Sequence, residues 1–148
     1  MTVSAMDAAH FLCKLSGWRL SNLQVQKILY MADMNFAGQK GERLIDEDFQ
    51  AWEYGPVLES VYHKLKAFGR KPVPDVFWGV QDISGTSESK MLELAYKNLK
   101  NRKPHQLVAS THTSIGAWIK NYVASARQIS ISTEDMIEEY NARRRQRN

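Results

Sequence analysis

Apolar residues recur at helical spacing along most of the chain. Ala8, Phe11, Leu12 and Leu15 share one face of a helix predicted over residues 4–16, which Gly17 ends. A second helix opens at Ser21, where Ser21 and Gln24 have the spacing of a capping box. Val25, Ile28, Leu29, Ala32 and Phe36 form one apolar stripe on it, and Leu23, Tyr30, Met34 and Ala37 form another. A helix apolar on two sides is buried on both, so this is predicted to be the central helix, ending in Gly38 and Gly41.

Residues 42–54 hold no helical stripe and predict a short strand or extended segment around Phe49, Ala51, Trp52 and Tyr54. Gly55-Pro56 then reads as a helix start with proline at its first position, carrying Val57, Leu58, Val61, Tyr62, Leu65 and Phe68 inward as far as Gly69. Residues 70–86 form a proline- and glycine-bearing loop, within which 76–80 fits a short strand. Further helices are predicted over residues 87–101, from Pro104, around Trp118–Val123, and after a cap at Ser132 or Thr133, with 128–131 extended. The fold class predicted is mostly α: one compact helical domain of six to seven helices with a short β element around residues 42–54.

Length and composition support that picture. A chain of 148 residues fits a single domain and, once folded, buries roughly 70% of the surface its unfolded form exposes. With 43% hydrophobic and 24% charged residues, it is not a disordered chain. One cysteine excludes a disulfide framework and a multi-cysteine zinc site. The N-terminal stretch MTVSAMDAAHFLCKLSG lacks the basic and apolar regions of a signal peptide, and no apolar run reaches membrane-span length, so a cytoplasmic location is expected.

The net charge of +4 equals the four arginines Arg143, Arg144, Arg145 and Arg147. The body, residues 1–141, is therefore nearly neutral, and residues 142–148 are expected to be a basic, disordered tail. A nucleic-acid binder usually carries its basic stripe on the folded face. That reading therefore rests on the tail alone.

Candidate chemistry is sparse. His10 and Cys13 share a helical face, but no third group orients a base. Asp46, Glu47 and Asp48 are consecutive, so in an extended chain they point alternately and do not converge on a metal. His63, His105 and His112 have no metal-ligand spacing. The chain holds no phosphate-binding glycine loop, zinc-protease motif or nucleophile elbow. The turn GWRL at 17–20 imitates a helix-turn-helix, yet the helix after it offers few polar positions for base edges. No catalytic residue, metal or cofactor is expected.

Three stretches are similar to the Panacea domain family, which includes SocA-like and GepA-like phage-associated proteins. They are SNLQVQKILY at 21–30, LIDEDFQAWEYGPVLESVY at 44–62, and residues 107–140, with a Thr-His pair, a following tryptophan and the run ISTEDM. The resemblance spans about residues 5–140. The chain departs from the family pattern at Met31, often aromatic, and at 114–117, where an acidic residue and a proline are common.

The resemblance implies a non-enzymatic antitoxin of a type II toxin–antitoxin system, chromosomal or prophage-borne, that neutralises a cognate protein toxin by direct binding. The alternative it leaves is a proteolytic adaptor that delivers the toxin to an ATP-dependent protease; in a different class, and from the charge alone, stands a small nucleic-acid-binding regulator using the Arg-rich tail. The partner-binding residues expected are Gln26, Lys27, Tyr30, Trp52, Tyr54, Gly55, Pro56, Val57, Tyr62, Trp78 and His112. Large aromatics in connecting segments are favoured binding anchors; the other reading of Trp52 and Tyr54, beside Gly55-Pro56, is that they lock the extended segment onto the core. Gln26 and Lys27 either hydrogen-bond the Trp52–Pro56 segment or face a partner.

Overall fold

The structure, a computed structural model, describes residues 2–147. Among them lie seven α-helices and a two-stranded antiparallel sheet. In chain order these are α1 (Ala5–Leu15), α2 (Asn22–Lys40), β1 (Gln50–Trp52), β2 (Gly55–Val57), α3 (Glu59–Leu65), α4 (Ser87–Leu99), α5 (Pro104–Thr111), α6 (Ala117–Asn121) and α7 (Thr133–Arg147). A short 3-10 turn, Lys66–Phe68, extends α3.

Helix α2 is central, as its two apolar stripes predict. It packs against α1, α3, α4, α5, α7 and β2. Its capping box forms: the Ser21 N–H donates to Gln24 Oε1 at 2.9 Å, and the Gln24 N–H donates to Ser21 Oγ at 3.4 Å. The helix ends at Gly41, whose left-handed φ of 76° few other residues adopt. Gly38 does not end it. Gly38 lies inside the helix, where a Cβ would come within 2.0 Å of Tyr140 Cγ, so its missing side chain is the seat for α7.

Past α2 the chain is tied down by Asp33. This buried carboxylate accepts from Arg43 Nη2 at 2.6 Å, from Arg43 Nε at 2.8 Å and from the Leu44 N–H at 2.7 Å. Burial pushes the Asp33 carboxyl up, against the downward pull of Arg43. The acidic trio then separates, as its alternation requires. Asp46 is exposed, Asp48 pairs with Arg43, and Glu47 accepts from the Ser60 hydroxyl and from the Ser60 N–H at 3.1 Å.

The hairpin pairs Gln50 with Val57, Ala51 with Pro56 and Trp52 with Gly55. Residues 129–131 lie along its other side as an extended segment: Ala51 N–H donates to Ile129 O at 2.9 Å, and Ile131 N–H to Phe49 O at 2.8 Å. Pro56 therefore sits in a strand, not at the first turn of a helix. Helix α3 starts at Glu59 with Leu58 as its extended N-cap: Leu58 O accepts the Tyr62 N–H at 3.0 Å as well as Gln26 Nε2 at 3.3 Å, and the Leu58 N–H donates to Gln26 Oε1 at 2.8 Å.

No strand forms at 76–80. The long loop is laid along α1 instead. Val73, Phe77 and Ile83 are buried, Val73 N–H donates to Leu20 O at 2.8 Å, and Gln81 N–H donates to Asp7 Oδ1 at 2.9 Å. The basic end of the chain is also not a loose tail. Helix α7 continues through Arg147, since arginine favours helices and cations suit a helix C-terminus. Asn148 lies outside the described residues.

Candidate partner-binding face

The hairpin is held from three sides. From α2, Gln26 reaches the chain just past β2: its Nε2 donates to Leu58 O at 3.3 Å and its Oε1 accepts the Leu58 N–H at 2.8 Å. Lys27 Nζ donates to Pro56 O at 3.0 Å. Both side chains are buried, and burial lowers the Lys27 ammonium to about 7. These two residues build the hairpin's seat: of the two roles left open for the pair, the structure shows the hydrogen bonding to the hairpin segment.

From α5 and α6 comes an aromatic stack. The His112 and Trp118 rings lie 3.7 Å apart at 4°, and Trp118 and Tyr122 lie 4.7 Å apart at 20°. Trp118 Nε1 donates to Trp52 O at 2.6 Å, which fixes the stack to the end of β1. His112 Nε2 is buried without a hydrogen-bond partner among the described residues, and burial together with Lys27 holds His112 below its ordinary value. From α3, the Tyr62 ring meets Trp52 edge-on at 4.7 Å. The guanidinium of Arg127 covers the Trp52 ring at 4.6 Å.

Gly55 sits where these groups converge. Its φ is 116°, and a Cβ there would lie 2.7 Å from Thr111 Oγ1 and 2.9 Å from Lys27 Cε. Only glycine meets both demands. Gly55, Pro56 and Val57 are all buried, so they shape the hairpin from within.

Tyr30 is fully buried and lies in a second network. Its hydroxyl donates to Glu139 Oε1 at 2.6 Å; the same oxygen accepts the Ala117 N–H at 2.9 Å, and Glu139 Oε2 accepts from Arg143 Nε at 2.7 Å. Burial and Glu139 push the Tyr30 phenol well above its ordinary value. This network locks α7 to α2 and α6, so Tyr30 too supports the face from behind.

Two expected anchors stand out to solvent. Tyr54 is 62% exposed at the hairpin tip, and Trp78 is 78% exposed in the long loop. They belong to different places. Tyr62 faces Trp52 while Lys64 lies over Trp78, and residues two apart on a helix point to nearly opposite sides. The structure thus brings together Trp52, Tyr54, Tyr62 and His112, and sets Trp78 apart. Ile119 on α6 and Val123 just past its end are also exposed.

The sequence reading missed Glu139, Arg143 and Arg127. The first two are spaced i, i+4, which is an ion-pair signal on a helix. Arg127 carried no local signal, because its partner lies 75 positions earlier in the chain. The His10–Cys13 pair holds no catalytic arrangement: the His10 ring packs on Trp18 and Phe77, and burial pushes the Cys13 thiol up to about 12.

The class defined is a mostly α domain that carries one small, tightly braced β-hairpin. The chain belongs to the family described as "Antitoxin SocA-like, Panacea domain", whose model matches residues 25–119. It is 32% identical over 109 residues to "Antitoxin SocA" of Caulobacter vibrioides (strain NA1000 / CB15N), covering 67% of this chain. The match spans 58% of that relative's length. No solved structure matches the chain. No helix among the described residues is long and apolar enough to cross a membrane.

Proposed function

We propose that this protein is a non-catalytic antitoxin of a type II system, acting in the cytoplasm by binding a protein toxin directly. Membership of the SocA-like family supports the antitoxin role. The observation that carries the binding site is Tyr54: a large aromatic exposed at the tip of a hairpin whose other sides are locked by Gln26, Lys27 and Trp118. A rigid exposed aromatic binds at low entropic cost, the usual property of an interface hot spot. The contact surface comprises Tyr54, the rim of Tyr62, Tyr122 and Val123, and the cation of Arg127. Neutralisation follows from occupying the toxin's working surface.

Co-expression with the product of the adjacent reading frame tests this. Growth arrest by that product alone, relieved by this chain with a stable complex on gel filtration, is the expected result. Relief without a complex, accompanied by loss of the toxic protein, would favour delivery to a protease. The exposed arginines at the end of α7 would then supply the second surface that an adaptor needs.

A further inference from the structure

The small sheet has two edges, and they are treated differently. In an antiparallel ladder successive residues turn their N–H and C=O groups to opposite sides. On the β2 side, Pro56 and Leu58 turn outward. Pro56 has no N–H, its carbonyl is taken by Lys27, and both backbone groups of Leu58 are taken by Gln26. That edge is closed.

The opposite edge is residues 128–130. Ile129 and Ile131 turn their ladder groups to β1. Ser130, which lies opposite Gln50, therefore turns its N–H and C=O away from the sheet. By the same alternation Gln128 does so as well. Both residues are exposed, and among the described residues these backbone groups have no hydrogen-bond partner. An uncovered edge of this kind is a template for another strand.

Beside it, exposed Arg127 lies over the Trp52 ring and has no carboxylate within ion-pair distance among the described residues. The edge is thus continuous with the aromatic face and carries an uncompensated cation.

We infer that residues 128–130 receive an extended, carboxylate-bearing segment of the partner protein, which adds as a further strand while its acidic side chain meets Arg127. This rests on the proposed toxin-binding face and names the backbone recognition within it. The incoming strand supplies a C=O to the Ser130 N–H and an N–H to the Ser130 C=O. Tyr54 and Val123 then contact its side chains.

The test uses the full chain and the adjacent-frame product. Ser130→Pro removes the outward N–H and leaves both ladder bonds to β1 intact, whereas Ser130→Ala keeps that N–H. The expected result is binding at least tenfold weaker for Ser130→Pro, within about twofold of the parent for Ser130→Ala, and several-fold weaker for Arg127→Glu. Amide hydrogen exchange on the unaltered protein gives a second measurement that needs no variant. The Gln128 and Ser130 amides are expected to become protected in the complex.

A stable complex in which these amides stay unprotected and Ser130→Pro binds normally overturns strand addition and leaves the toxin-binding reading standing. A dimer of this chain alone, broken by Ser130→Pro, assigns the edge to self-pairing and also overturns it. Absence of any complex overturns both readings together.

Discussion

Lys27 Nζ sits 3.0 Å from the carbonyl oxygen of Pro56, and it does there what a neighbouring strand would otherwise do. With Gln26 bonded to Leu58 in the manner of a peptide group, two adjacent side chains of a helix close one edge of a sheet. An amide and an amine can substitute for a strand here because proline has already removed the one donor that would go unpaired. The arrangement costs burial of an amine, with no carboxylate among its hydrogen-bond partners.

That cost makes stability depend on pH. The folded protein holds Lys27 at about 7, whereas an unfolded lysine titrates near 10.4. Between those values the unfolded chain binds more protons than the folded one, so stability rises with pH across that window. Below about 7 both states are protonated and the full burial penalty remains. His112, also held low by burial and by Lys27, adds a rise in the same direction just below its ordinary value. Lys27→Met should abolish the rise between pH 7 and 10 and shrink the acid limb without removing it, since burial, the larger cause of the His112 shift, remains. Urea unfolding at pH 5.5, 7 and 9 on both proteins measures it; a parallel pair of curves would refute the assignment.

Gly38 and Tyr140 meet where α2 packs on α7. A Cβ at Gly38 would overlap the Tyr140 ring, with Cγ at 2.0 Å. Gly38→Ala is expected to destabilise by roughly 1–3 kcal/mol, the usual cost of overpacking, even though alanine favours helices. Tyr140→Ala opens the space, so the double variant should be more stable than additivity predicts. A double-mutant cycle in denaturant reads the coupling directly.

Much of this fold is legible in the chain. The Ser21–Gln24 capping box, the two-sided apolar pattern of α2 and the proline that opens α5 each point to one local answer, and each forms. What misleads is the Gly55-Pro56 pair. Locally it is a good helix start, and it becomes a strand because Gln26 and Lys27, about thirty positions earlier, claim the backbone there. The site is legible in part for the same reason. Aromatic identity shows in the sequence, whereas exposure is set by partners such as Trp118 and Arg127 that lie far along the chain.

Arg143 and the arginines after it differ in role. Arg143 Nη2 donates to Ser110 O at 2.5 Å and its Nε to Glu139, so it belongs to the fold. Arg144, Arg145 and Arg147 are exposed at the helix end. Removing residues 144–148 should change stability by no more than about 0.5 kcal/mol, as for other surface changes. Arg143→Ala should cost several times more, since it strands the buried Glu139 carboxylate. Thermal unfolding of the two variants separates these cases. If the truncation retains toxin binding but abolishes toxin turnover in cells, the helix end is an adaptor surface; unchanged turnover removes that role from it.

Tyr54 and Trp52 are two residues apart and should fail differently. The Trp52 ring is buried between Tyr62 and Arg127, and its carbonyl holds Trp118. Trp52→Ala should therefore cost roughly 3–5 kcal/mol of stability, the range for emptying an aromatic site. Tyr54 has no ring partner of its own among the described residues and is mostly in solvent. Tyr54→Ala should leave the unfolding midpoint unchanged and weaken toxin binding by about 30-fold, which corresponds to a hot spot of about 2 kcal/mol. Calorimetric titration beside a thermal melt distinguishes the two. Equal loss of binding and stability in both variants would mean that Tyr54 only braces the hairpin and is not a binding anchor.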